Sequence, residues 1–280
     1  MKADVFVPDG TALPEALART THLGIVAHAD DLEILAYAGI LACFRDPERW
    51  FTGIVLTDGA GSSRSEEYAR VSDAEFLKIR VAEQRKAAAI GEYGAVVQLG
   101  RTSGEAKGAA RSAIVDELVE LLSQAMPETV YTHNPADRHD THVAAALATI
   151  EACRRLPRAA RPTRVLGGEV WRDLDWLPEA DKVAEDVSGR DHLASALIGV
   201  YDSQIAGAKR YDLAVLGRRR ANATYHRSHA VDASPMLSVA MDLTPLVADP
   251  GLDVFAHVDA CIGRFRDETR ERLARLGGKA

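Results

Sequence analysis

The 280-residue chain contains only three cysteines, Cys43, Cys153 and Cys261, set far apart and with no CxxC pair. The odd count and wide spacing argue against a disulfide framework and predict reduced, buried thiols in a cytoplasmic protein. Met1-Lys2-Ala3-Asp4 has neither the basic start nor the apolar block of a secretory signal. No uncharged apolar run approaches the ~20 residues of a membrane span. Positive charge is in deficit, with 41 acids against 34 bases and a net charge of −7. A nucleic-acid partner wants a basic face, so none is expected. No GxSxG is present, which argues against a serine hydrolase, and no HExxH helix. Asp58-Gly59-Ala60-Gly61-Ser62-Ser63 lacks both a third glycine and a following lysine. It is therefore neither a dinucleotide fingerprint nor a P-loop, and reads as a loop at the rim of a site. There is no internal repeat, no low-complexity tract and no Pro/Gly/Ser linker.

What is present is a large apolar fraction, 47%, in strand-and-helix alternation. Short apolar runs at 22–28, 51–57, 95–99, 129–133 and 164–171 read as strands. Helices are expected over 32–44, 73–91, 110–125 and 142–154, with a polar loop at 101–109 and a left-handed cap at Gly94. Further on, 191–225 reads as helical with one break near Ala206-Gly207, 236–243 as a strand and 252–275 as a terminal helix. Alternation of this kind implies an α/β protein with a mostly parallel sheet covered on both faces. The loops at the strands' carboxyl ends become the default ligand site. His28, Thr57, Gly100 and His133 lie at such ends.

Two stretches carry chemistry. In Gly24-Ile25-Val26-Ala27-His28-Ala29-Asp30-Asp31 an apolar strand stops at one histidine and two acids. In Asn134–His142, His139 and His142 stand i,i+3 at a helix start, where one face holds both. His28 and Asp31 bracket one turn and can converge on a metal. Asp30, between them, points elsewhere and suits a general base. The plainer reading makes Asp30 or Asp31 a helix N-cap, and His133 a residue that lines the site without binding metal. His226 and His229 flank a later loop within reach of the site. Trp171 and Trp176 suit either sugar stacking or packing, and Gly217-Arg218-Arg219-Arg220 reads as a solvated face.

These residues carry a family resemblance. Ala27-His28-Ala29-Asp30-Asp31-Leu32-Glu33 resembles the AHPDDE signature of the PIG-L/LmbE-like N-deacetylases, and Arg138-His139-Asp140-Thr141-His142 their later HPDH element. Leu56-Thr57-Asp58-Gly59 is similar to their LTDGE segment, and Arg80-Val81-Ala82-Glu83 to their RxxE helix. Order and distances agree over roughly residues 22–155. The resemblance implies a Rossmann-like three-layer α/β/α, LmbE-like fold. It implies a single domain over 1–280, with about 175–280 as a family-variable part. It also implies a divalent metal, usually Zn2+, and hydrolysis of the N-acetyl group of an amino sugar or glycoconjugate. By position, His28, Asp31 and His142 would be the ligands and Asp30 the general base. His139 would steady the oxyanion and Arg80 would contact substrate. The rivals are a thiol-sugar conjugate amidase of the same fold and a non-catalytic sugar- or nucleotide-binding α/β protein. A homo-oligomer is left open.

Three departures stand out. Ala29 replaces proline, Leu32 stands where glutamate is common and displaces the acid to Glu33, and Asp140-Thr141 replaces Pro-Asp. The last change removes the carboxylate expected to orient the final histidine. Either Asp140 caps the helix, or Asp137 supplies that carboxylate.

Overall fold

A computed structural model describes residues 3–65, 67–206 and 209–277. Its centre is an eight-stranded sheet. In chain order the elements begin with β1 (Asp4–Phe6), α1 (Leu13–Ala18), β2 (His22–Val26), α2 (Asp31–Leu35), α3 (Tyr37–Cys43), β3 (Phe51–Thr57), α4 (Asp73–Ile90) and β4 (Ala95–Arg101). They continue with α5 (Ser103–Lys107), α6 (Arg111–Ala125), β5 (Thr129–His133), α7 (Asp140–Arg155), β6 (Arg164–Gly168), β7 (Lys182–Asp186), α8 (Asp191–Gly199), α9 (Asp202–Ile205) and α10 (Tyr211–Tyr225). β8 (Leu237–Asp242), α11 (Thr244–Ala248) and α12 (Val254–Gly277) complete the chain.

The strand order is β1-β4-β3-β2-β5-β6-β8-β7. The five strands from β4 to β6 run parallel, and β1, β8 and β7 pair antiparallel at the two margins. The expected mostly parallel, three-layer α/β arrangement is what forms. Every residue of β3 and of β5 is buried, as a sheet covered on both faces requires. Successive crossovers run from β2 through β3 to β4 in one direction, then restart from β5 to β6 in the other. The reversal leaves a crevice beyond the carboxyl ends of β2 and β5, the place where such sheets bind ligands.

One packing detail fixes the helix at that crevice. Gly24 of β2 lies opposite Gly53 of β3, and Leu32 of α2 fills the slot between them. A Cβ at either glycine would stand 2.5 Å from a Leu32 methyl. Leu32 is wholly buried there, which is why an apolar residue is tolerated where an acid is common. The displaced acid, Glu33, is also fully buried. It accepts hydrogen bonds from Tyr93 Oη (2.6 Å), Tyr201 Oη (2.6 Å) and Gln84 Nε2 (3.0 Å). Burial, only partly offset by the Tyr201 and Tyr93 hydroxyls, pushes its carboxyl up to about 7.

Several local expectations are corrected. The helix expected at 32–44 divides at Ala36, whose φ of −106° and ψ of 14° end α2 and start α3. The loop at 101–109 contains α5, closed by a reciprocal Thr102/Glu105 capping box and too short to show a helical period. The strand expected to reach 171 ends at Gly168, and Asp173 and Leu174 beyond it take left-handed backbone. Glu92, not Gly94, is the left-handed residue after α4. Helix 191–225 is three helices, with one break at Val200-Tyr201; the break expected near Ala206-Gly207 falls at its second residue outside the described residues. The edge strands β1 and β7 and the short helices α1 and α11 add to the expected set. β1 has three residues and β7 has no buried residue, so neither shows the apolar run that marks the central strands.

Candidate metal centre

The turn after β2 is held from a distance. Ala27 donates its N–H to His133 Nε2 at the end of β5 (2.9 Å), and its carbonyl accepts from Thr57 N (2.9 Å) and Oγ1 (2.8 Å) of β3. Arg80 Nη2, from α4, donates to Ala29 O (2.8 Å), and Asp30 N–H reaches Gln84 Oε1 (3.4 Å). Asp30 takes a φ of 90°, a costly conformation for a residue with a Cβ and one that concentrates at functional sites. It precedes α2 but makes no side-chain cap bond, so the N-cap reading does not account for it. Asp31 is no cap either: its Oδ2 accepts from His28 N (2.9 Å) and faces the histidines.

The loop after β5 is held from within by its own polar side chains and from outside by Gly167, Val170 and Arg172. Asn134 Oδ1 accepts from Ala136 N, and Asp137 Oδ1 from His139 N (2.9 Å). His139 occupies the N-cap position of α7, and His142 stands in its first turn. His142 Nδ1 donates to Asp137 Oδ2 at 3.1 Å. Asp137 therefore supplies the orienting carboxylate that Asp140-Thr141 removed from its usual place, and α7 has no side-chain cap bond from Asp140.

The two segments meet in a triangle of donor atoms. His28 Nδ1 lies 3.2 Å from Asp31 Oδ2, His142 Nε2 lies 3.3 Å from His28 Nδ1, and His142 Nε2 lies 3.6 Å from Asp31 Oδ2. With Nδ1 committed to Asp137, His142 turns the lone pair of Nε2 into the triangle. Bonds of about 2.0–2.1 Å at tetrahedral angles place ligand atoms roughly 3.3 Å apart. The spacing and the mixed nitrogen–oxygen set thus fit a small divalent cation. His133 and His139 widen the cluster, since Asp31, His133 and His142 form one compact donor group and His28, His139 and His142 another. His133 is fully buried, 3.3 Å from Asp31 Oδ2 and stacked on His142.

The electrostatics divide the two aspartates. Burial opposes ionisation of Asp31, but His142 and His133 outweigh it and hold its carboxyl well below the usual range. At Asp30 the His142 field is only a minor opposing influence. Burial pushes the Asp30 carboxyl up to about 7, with Arg80 opposing and Asp31 adding. Arg80 Nη1 is 3.5 Å from Asp30 Oδ2. Burial lowers the His133 imidazole to about 4 and, with His142 and His28 nearby, also lowers His139. Burial would lower His142 too, but Asp31 and Asp137 reverse the sign and raise it.

A cavity of about 270 Å³ opens over the triangle. His28, Asp30, Asp31, Arg80, His139 and His142 all line it, so the structure brings together the six residues to which the family resemblance gives a role. Gly59 forms part of the rim. Its φ of +70° and the approach of Arg80 Nε, 3.1 Å from where a Cβ would be, both require glycine. Trp171 lines the cavity, stacked on His139 with ring centroids 6.4 Å apart, whereas Trp176 donates inward to Glu169. His226 lines a separate cavity beside β7, and His229 lines neither. The arginines at 218–220 are not one solvated face. Arg218 donates to the carbonyls of Val170 and Trp171, and buried Arg219 donates to Glu33 O. Gln84, Lys107, Lys209 and Tyr211 were not anticipated at the site. Nothing in their local sequence distinguishes them, because long-range packing brings them there.

Residues 23–153 match the family model described as GlcNAc-PI de-N-acetylase, PIG-L. Comparison with curated proteins gives no significant match. Among solved structures the chain is similar to N,N'-diacetylchitobiose deacetylase from Pyrococcus horikoshii, at 15% identity and a TM-score of 0.65, over 82% of this chain and 86% of that one. It is similar to the conserved protein TT1542 from Thermus thermophilus, at 20% identity and a TM-score of 0.62, over 84% and 99% of the respective chains. It is also similar to GalB, the 4-carboxy-2-hydroxymuconate hydratase of Pseudomonas putida, at 16% identity and a TM-score of 0.63, over 80% and 96%. Likeness at these identities establishes the fold. Proteins named as a deacetylase and as a hydratase share it, so the reaction has to be argued from the site.

Proposed function

We propose, from the match of residues 23–153 to the PIG-L, or GlcNAc-PI de-N-acetylase, family model, that the chain is a metal-dependent amide hydrolase of that family. Its substrate is an amino sugar or glycoconjugate, from which it removes an N-acyl group, acetyl in the first instance. The observation that carries this reading is the donor triangle of His28, Asp31 and His142 with a buried, unligated carboxylate, Asp30, beside it.

In this proposal His28, Asp31 and His142 hold the cation, for which zinc suits the mixed nitrogen–oxygen set best. When bound, the cation lowers the pKa of water toward neutrality and polarises the acyl carbonyl. Asp30 accepts the proton of the attacking water, a task for which a carboxyl lifted to about 7 is matched near neutral pH. It then returns that proton to the leaving nitrogen. His139 sits at the N-cap of α7 across the cavity and donates to the oxygen on which negative charge develops. Asp137 fixes the ring of His142. Arg80 meets the substrate from the cavity wall while restraining Ala29 and Asp30.

The test is metal analysis joined to an assay. Purified chain should carry about one zinc, lost in His142→Ala, and the zinc-loaded protein should release free amine from members of a panel of N-acetylated sugars. Failure to bind a divalent metal under any loading condition would overturn the proposal and favour a non-catalytic binding protein.

A further inference from the structure

A second cavity, of about 170 Å³, adjoins the first, between α2, α10, β8 and the chain that follows β6. Ile34, Val170, Trp171 and Tyr211 line both cavities, so the two share a wall. Leu35, Val215 and Val239 add apolar surface to the second, and Arg219 of α10 is set among them. An apolar cavity of about 150 Å³ is room enough for a benzene ring.

Arg219 sets this cavity apart. Among the described residues only two arginines are buried, Arg80 and Arg219. Arg80 Nη1 faces Asp30 at 3.5 Å, whereas Arg219 forms no ion pair among the described residues. Its Nη2 donates to Glu33 O (2.6 Å) and Ile34 O (3.3 Å), and the guanidinium carbon stands 4.2 Å from the centroid of the Tyr37 ring. Those contacts bracket the end of α2, but they leave Nε and Nη1 buried and without a partner. Burial lowers the guanidinium to about 10, with Tyr37, Asp173 and Glu33 opposing, so it stays charged at neutral pH. An exposed cation needs no partner because water solvates it; a buried one is costly unless a counter-charge and acceptors meet it. The acids of the cavity do not. Glu169 Oε1 accepts from Arg172 Nε (2.6 Å), and its Oε2 from Leu174 N (3.1 Å) and Trp176 Nε1 (3.0 Å). Asp173 Oδ2 accepts from Asn222 Nδ2 (3.0 Å), and burial pushes that carboxyl up from its usual range. On the shared wall, Trp171 Nε1 is a further buried donor without a partner.

We propose that this cavity is a second binding site, separate from the donor triangle, for a small monocarboxylate with an apolar body. The carboxylate accepts from the free N–H groups of Arg219, as a charge-assisted hydrogen bond. The chain or ring of the ligand packs on Ile34, Leu35, Val215 and Val239. Water alone would meet the donors but would bring no charge to the guanidinium. The site stands or falls independently of the deacylase reading.

The experiment measures binding to the zinc-loaded full chain by calorimetry, with benzoate and hexanoate as probes. Benzyl alcohol and 1-hexanol keep the apolar body without the charge, and acetate keeps the charge without the body. At least one of the two larger carboxylates should bind about tenfold more tightly than its alcohol and than acetate. Arg219→Gln should bring acid and alcohol to parity. Because Arg219 also brackets α2, a second variant guards against misfolding: Ala214→Phe narrows the cavity from an exposed position of α10, and should weaken carboxylate binding about tenfold at an unchanged melting temperature. Binding that acetate displaces and that survives Ala214→Phe is coordination to the cation at the donor triangle, and overturns the second site. Equal binding of acids and alcohols, or no binding of any probe, overturns it too. A free acid and the acyl end of a substrate present the same chemistry. Competitive inhibition of amine release by the bound acid assigns the site to the substrate's path, and binding without competition assigns it to a separate acid.

Discussion

The two turns that meet at the donor triangle are built on different plans. The turn after β2 is short, strained at Asp30 and fastened by residues 30 to 106 positions away, on β3, α4 and β5. The loop after β5 is fastened by its own Asn134 and Asp137, through contacts two to five residues apart, with added bonds to Gly167, Val170 and Arg172 33 to 36 positions away. The first plan lets the fold impose a geometry that no local sequence prefers. The second presents two histidines on a preformed helix start at little cost in strain. In the proposed site the first turn carries the strained Asp30 and two of the three ligands, His28 and Asp31, and the second carries the third ligand, His142, together with His139.

Substitutions at each turn separate the plans. Asp30→Asn should leave zinc content intact and lower kcat by about a hundred- to ten-thousand-fold, the range of a lost general base. Equal loss of metal and turnover would mean that Asp30 and Asp31 have exchanged roles. Asp137→Asn acts on the loop after β5, and should weaken metal affinity by about 10–100-fold, as loss of an orienting carboxylate does. Competition with a chelator measures it, and unchanged affinity would show that α7 alone orients His142. Arg80→Met acts on the distant fastening. Arg80 holds the Asp30 pKa down against burial, so its removal should move the acid limb of kcat/KM upward by about one pH unit, roughly tenfold in rate on that limb. If Arg80→Met instead releases metal as Asp137→Asn does, the two turns are not independently held.

The smallest effect concerns stability. Glu33 gives up its proton at about 7 when folded, against an ordinary value of 4.5. Between these values the folded protein binds more protons than the unfolded chain. Its stability therefore falls as pH rises from 4.5 toward 7 and is flat above that. Glu33→Gln should remove a slope on the order of 1 kcal/mol per pH unit, read as melting temperature from pH 4.5 to 8. A slope that persists in the variant assigns it to other groups.

The same contrast explains what could be read from the sequence. His28, Asp30, Asp31, His139 and His142 were legible because two short motifs occur in order, and because parallel strands announce themselves as apolar runs. Asp137 was half-legible: its competitor Asp140 lies closer to His142 along the chain, and only the folded loop shows which carboxylate reaches the ring. Gln84 and Lys209 were illegible, since an ordinary helix glutamine and a lysine before a helix acquire their meaning from what packs against them. The divided helix at Ala36 and the buried Arg219 belong to the same class. The Thr102/Glu105 capping box was written in the sequence, but spans too few residues for periodicity to reveal.

The hydrogen bond from Tyr201 to Glu33 bears on where this protein can be cut. The family match stops at residue 153, which invites expression of that segment alone. Such a fragment would expose the Glu33 carboxylate to a vacated interface, without the Tyr201 hydroxyl, and would remove Arg219 from the carbonyl of the same residue. It would also strip β6, and β8 beyond it, from the edge of β5. A usable truncation has to retain the chain at least through α10 and β8, whatever border sequence similarity suggests.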